Sequence, residues 1–273
     1  MTPARAVAPR IAITALFVVW VFPLYWMVVS SLVPEAELFG TPALIPSQIV
    51  DDHYAALFTE RRFWVPIRNS AIVAAATTVL AIAFGAPCAY ALARLRFRGR
   101  SWLMAAILAV SMFPQIALIS PLFLALRQLG LIDTYPGLVL PYVAFAMPLA
   151  IWLMTAFFRE IPRDIEDAAR MDGASPARVA LEITLPLAAP AIATTAILTF
   201  LFAWNEFLFA LTLTAGPDRQ TVPVAIALFR GQYQVPWGQV LAAAVVASVP
   251  VALVVLLFQR RIVRGLTAGA VKG

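Results

Sequence analysis

The sequence predicts an all-α, polytopic membrane protein with six transmembrane helices, and three observations carry that prediction. Hydrophobic residues fill 62% of the 273 positions against 12% charged, and the mean hydropathy is +0.88, a balance that a water-soluble globule does not show. Six apolar stretches reach the roughly 20 residues needed to cross a hydrocarbon core. The 20 Lys and Arg residues gather at the ends of these stretches. A net charge of +6 and a pI near 10.1 therefore mark orientation in a bilayer, and nucleic acid is not an expected partner.

The expected spans are 11–32, 67–93, 102–126, 138–158, 188–214 and 240–258. The first follows Arg5 and Arg10, lacks a small-residue cleavage pattern and exceeds signal-peptide length, so it reads as a retained span. With the N-terminus inside, the inner loops hold 14 of the 20 basic residues, which places both termini and the 159–187 loop in the cytoplasm. The chain then divides into 1–66, a first helix with its outer loop; 67–259, the transmembrane core with the 159–187 loop; and 260–273, a cytoplasmic tail.

The outer segment 33–66 is too long for a tight turn and carries Glu35, Glu37, Asp51 and Asp52, so a partly structured cap is expected. Its His53 is the only histidine and reads as a solvated loop residue; no metal site is expected. In the second span Ala81, Gly85, Ala89 and Ala93 recur every four residues and form a seam for close helix contact. Cys88, the single cysteine, excludes an intrachain disulfide and reads as packing. Pro114, Pro121, Pro141 and Pro148 interrupt the backbone bonding of their spans, which predicts bent helices around a pathway.

The longest polar run, 159–187, has the grammar of two short helices. Pro162 suits a first helical position, Asp164, Glu166 and Asp167 crowd the positive end, and Gly173 supplies a left-handed stop. Ser175 then caps a second helix opened by Pro176. Ile161, Ile165, Ala168, Ala169 and Asp172 fall at helical spacing, giving a face whose centre is methyl groups and which another surface can approach closely.

The only lysine is Lys272, so the chain has no Gly-Lys-Ser/Thr phosphate loop and no ATP chemistry of its own. Glu206, in Phe202-Ala203-Trp204-Asn205-Glu206-Phe207, is the one acid well inside a span. An acid at that depth is costly enough to be read as functional, although bonding to a neighbouring helix also accounts for it. Trp204 offers a flat apolar face, and Asn205, Glu206, Gln115 and Tyr142 offer polar groups for hydroxyls, so these five are the candidate pathway residues. Without a second intramembrane acid or a matching lysine, an ion-coupled transporter is poorly supported. A polytopic membrane enzyme lacks its paired acids, metal cluster or nucleophile and base.

Asp167-Ala168-Ala169, three residues to Gly173, nine more to Ile183, then Leu185-Pro186, resembles the EAA loop of ATP-binding-cassette importer permeases, E-A-A-x3-G-x9-I-x-L-P. Asp167 in place of Glu keeps the charge and shortens the reach. Trp204-Asn205-Glu206-Phe207 and the tail from Gly265 to Gly273 narrow the resemblance to the MalG-type branch of carbohydrate importer permeases, over essentially the whole chain.

That resemblance implies the type I importer permease fold in a bacterial-type cell membrane. It implies a non-catalytic subunit that passes a sugar, a disaccharide such as trehalose or a maltose-like one. The implied partners are a second, different permease, two ATPase subunits that carry ATP and Mg, an extracytoplasmic solute-binding protein and membrane lipids. Glu166, Asp167, Ala168, Ala169, Asp172, Gly173, Ile183 and Pro186 would couple to the ATPase, and Gly269 and Lys272 would reach the ATPase interface. Gly231, Gln232, Tyr233, Gln234 and Trp237, in the outer segment 215–239, would contact the binding protein; an interfacial aromatic belt also accounts for Trp237.

Overall fold

The computed structural model describes residues 3–41, 44–46, 48–229 and 235–268, and all regular structure among them is helical. In chain order the helices are α1 (Pro3–Ser30), α2 (Asp52–Thr59), α3 (Trp64–Arg94), α4 (Arg100–Ser111), α5 (Gln115–Gln128), α6 (Tyr135–Glu160), α7 (Arg163–Met171) and α8 (Pro176–Arg178). A π-helical stretch (Val179–Thr184) follows, then α9 (Leu185–Leu187), α10 (Ala189–Asn205), α11 (Leu208–Leu213), α12 (Val222–Ala227) and α13 (Trp237–Ala268). Among the described residues four helices are long and apolar enough to cross a membrane, or up to six if each of two bent helix pairs counts as one span.

The third expected span, 102–126, is not one helix. It breaks into α4 and α5, which meet at 88°. Pro114 is extended, with φ −61° and ψ 117°, and stands just before the first turn of α5, where its missing N–H costs nothing. Pro121, Pro141 and Pro148 stay inside their helices. The second bent pair joins Pro176–Leu187, the end of the expected polar loop, to α10 at 72°. The fifth expected span, 188–214, is itself interrupted further on: α10 ends at Asn205, Glu206 is extended, and α11 restarts at Leu208.

Two compact units make up the chain. One comprises the chain up to Trp64 with Ala225–Pro250; the other comprises Val65–Val224 and the chain from Val251 on. In the first unit the described part of the outer segment carries one helix, α2, among turns, in line with the partly structured cap that its length suggests. His53 lies on α2 and its Nε2 bonds the Val33 carbonyl at 2.9 Å, so it is not a solvated loop residue. Phe63 meets Phe229 edge to face at 5.8 Å, Arg61 lies over Phe229, and Arg61 Nε donates to Gln239 Oε1 at 3.2 Å. Glu35 takes the backbone N–H groups of Trp237 at 2.8 Å and Gly238 at 2.9 Å, so a loop carboxylate caps the positive end of α13.

The second unit is organised by the small-residue seam. Ala81, Gly85, Ala89 and Ala93 are all buried, and the last two join a core with Ile151, Met154 and Phe158 of α6 and Ala188. The absence of bulk on α3 lets these helices approach closely. α10 and α4 also pack on α6. At the other end of α3, the buried Asn69 donates to the carbonyls of Asp218 and Gln220, both at 2.9 Å, and accepts the Tyr135 hydroxyl at 2.8 Å. Asp133 holds the Ala215 N–H at 3.0 Å. Together these bonds satisfy the irregular backbone after α11.

Candidate functional site

The 159–187 loop begins where α6 stops. Ile161 and Pro162 are extended, and α7 starts at Arg163, one residue later than the proline position predicts. Gly173 takes φ +83°, the left-handed stop that its identity predicts, and the Ser175 hydroxyl accepts the Arg178 N–H at 3.3 Å as a cap. The second helix is not plain α: a single α turn runs into six residues of π-helix.

Glu166 fixes this loop to the helical core. Its side chain is 2% exposed. Oε1 lies 2.7 Å from Nε of Arg94, itself only 4% exposed, and accepts the Thr184 hydroxyl at 2.9 Å. Oε2 takes Nη2 of Arg170 at 3.2 Å. Arg94 Nη2 in turn donates to the Ile161 carbonyl at 2.7 Å. One carboxylate thus links the end of α3, α7 and the π-helical stretch, while its arginine holds the end of α6. Buried charges persist only when paired and hydrogen-bonded in this way.

Most of the other expected coupling residues are exposed. Asp167, paired with Arg170 at 2.6 Å, is exposed, as are Ala168, Asp172, Gly173 and Pro186; Ile183 is half-buried. Ala169 is buried, so the methyl face expected from spacing divides: Ala169 packs inward, while Ile165, Ala168 and Met171 face out. Met171 is 89% exposed and was not among the expected residues. Arg94, Arg170 and Thr184 were also missed as partners of Glu166. The legible signal was an arginine closing the Ala81–Ala93 seam, since a charge on a packed face demands an acid.

The five pathway candidates separate. Glu206 is 7% exposed, and its two oxygens accept the N–H groups of Phe209 at 2.8 Å and Ala210 at 3.1 Å, capping α11. Trp204 is buried and stacked on Phe200 at 5.8 Å, so its face is taken by protein. Tyr142 is fully buried, its hydroxyl beside the Glu206 carboxylate but without a hydrogen bond of ordinary geometry. Asn205 is exposed, with Nδ2 on the Leu201 carbonyl at 2.8 Å, and Gln115 is half-exposed at the start of α5. Of the outer-loop candidates, Trp237 is 47% exposed at the start of α13; Gly231, Gln232, Tyr233 and Gln234 lie outside the described residues, as do Gly269 and Lys272.

Apolar spans, two of them broken, with a polar loop clamped to their core, define a multi-pass membrane transport subunit. The chain belongs to the family of binding-protein-dependent transport system inner membrane components, which matches residues 81–268. It is 49% identical over 253 residues to the trehalose transport system permease protein SugB of Mycobacterium tuberculosis, covering 92% of each chain. It is 40% identical over 259 residues to the trehalose/maltose transport system permease protein MalG of Thermococcus litoralis, covering 94% of this chain and 93% of that one. A chain in the crystal structure of a bacterial ABC transporter involved in the import of the acidic polysaccharide alginate shares the fold, with a TM-score of 0.80 at 24% identity over 95% of this chain and 98% of the other.

Proposed function

We propose that this chain is one permease subunit of an ATP-driven sugar importer, with a disaccharide such as trehalose or a maltose-like sugar as its substrate. It pairs with a second, different permease, receives sugar from an extracytoplasmic binding protein and is driven by two ATPase subunits that carry ATP and Mg. The observation that carries the reading is the 159–187 loop. Its outward face of Ile165, Ala168 and Met171 sits on a helix locked from behind by Glu166 and Arg94, an arrangement able to transmit force from a docked partner to α3 and α6. The similarity to trehalose and maltose permeases supports the substrate class. In this reading both termini are cytoplasmic, Gly269 and Lys272 reach the ATPase interface, and the segment from Gly231 to Trp237 touches the binding protein.

The expected outcome is stoichiometric co-purification with a P-loop ATPase whose turnover is stimulated by binding protein loaded with trehalose or a related disaccharide. Sugar uptake by this chain without any ATPase would overturn the reading in favour of an ion-coupled carrier.

A further inference from the structure

Between α3 and α4 the chain forms an open groove of about 1000 Å³ lined by Arg96, Arg98, Arg100 and Arg159, with Phe97 and Trp102 among its apolar walls. Among the described residues no acidic side chain lines it. Among the described residues, none of these four arginines has an acidic partner at salt-bridge distance. Arg159 and Arg163 stand close enough to Arg100 to act on it electrostatically. Like charges gathered without a counter-charge repel, so the cluster gains by binding an anion. We infer that this groove binds a phosphate-bearing anion, and specifically the headgroup of an anionic phospholipid.

The apolar surroundings select a lipid over a free anion or an acidic protein surface. Trp102 is 82% exposed beside the arginines, and α4 continues from it with Leu103 and Val110 exposed and no residue fully buried. A guanidinium cluster with tryptophan at the entry of an apolar helix suits a molecule that is anionic at one end and hydrocarbon at the other. Because Arg94 and Arg159 flank the clamped loop, a bound lipid would sit against the elements that carry it.

The test is native mass spectrometry of the assembled transporter released from nanodiscs containing equal amounts of phosphatidylglycerol and phosphatidylcholine. Basic side chains near a membrane surface strengthen anionic-lipid binding roughly fivefold each. R96Q/R98Q should therefore lower phosphatidylglycerol retention about 25-fold and leave phosphatidylcholine unchanged, whereas R127Q, which removes an arginine elsewhere, should change neither. Arg96 and Arg98 are exposed, so the assembled complex should be recovered in normal yield. W102A should weaken retention without removing any charge. Equal retention in wild type and R96Q/R98Q overturns the site. So does loss of the ATPase with lipid retained, which makes the patch a protein contact, or full displacement by millimolar inorganic phosphate with W102A neutral, which makes it a free-phosphate site.

Discussion

Replacing Glu166 by alanine tests the clamp most directly. The change strands the Arg94 guanidinium, 4% exposed, with only the Ile161 carbonyl at 2.7 Å, and removes the acceptor of the Thr184 hydroxyl. Breaking one side of a buried ion pair costs roughly 3–5 kcal/mol. At about 1.36 kcal/mol per tenfold, backbone amides from 163 to 187 should lose about two to four orders of magnitude of hydrogen-exchange protection in nanodiscs. The double variant Arg94→Met/Glu166→Leu should recover most of that loss, because apolar replacement of a whole buried pair is close to neutral. If the loop couples a docked ATPase to the core as proposed, transport should separate from protection, the double variant keeping the loop ordered while its uptake rate stays below wild type. A loss below tenfold in Glu166→Ala, or a double variant worse than either single one, refutes the clamp.

Three further outcomes follow from local geometry. A Cβ on Gly238 would overlap the His53 ring, so Gly238→Ala must displace the ring and its bond to Val33, at about 1–3 kcal/mol. The transporter should melt earlier and be restored by adding His53→Ala; simple additivity of the two would sink this account. Gly173 has φ +83° with nothing within 4 Å of a built Cβ, so Gly173→Ala should cost only the backbone strain of about 1–2 kcal/mol. Gly173→Leu adds bulk to the exposed turn and should also weaken ATPase association, measured by pull-down; equal association of the two variants would remove the docking role. Glu206→Gln turns one acceptor into a donor facing the Phe209 or Ala210 N–H and should expose these amides to exchange by about 1–3 kcal/mol. Asn205→Ala should leave them protected while changing the uptake rate.

Hydropathy made the long helices legible, because continuous apolar runs such as 67–93 and 138–158 have no other stable backbone in a bilayer. The breaks were not legible in the same way. Pro114, Pro121, Pro141 and Pro148 look alike in the sequence, and only the position of Pro114 ahead of a helix start turns it into an 88° corner. The caps of the loop were readable because Ser175, Pro176 and Gly173 act through their own backbone. The Arg94–Glu166 pair was readable only by half: an arginine closing the Ala81–Ala93 seam calls for an acid, but the partner stands 72 positions away and nothing local names it. Glu206 stood out as an acid at depth, but its partners are N–H groups that exist only because α10 stops one residue earlier.

The bonds of Glu206 limit what this carboxylate can do where α10 stops. A carboxylate with both oxygens on backbone donors is committed: turning it toward a sugar hydroxyl or a cation leaves two buried N–H groups unpaired, at about 1–3 kcal/mol each. Glu35 is committed in the same manner at α13, and Glu166 by two arginines and a threonine. These acids each fix a helix end, and the oxygens of each already accept from protein donors. The break at Glu206 nonetheless leaves Asn205 exposed at the end of α10, an amide on a rigid terminus. Under the proposed function Asn205, and not Glu206, is then the residue to test for solute recognition at this level, because any reorientation of Glu206 must first release the N–H groups that start α11.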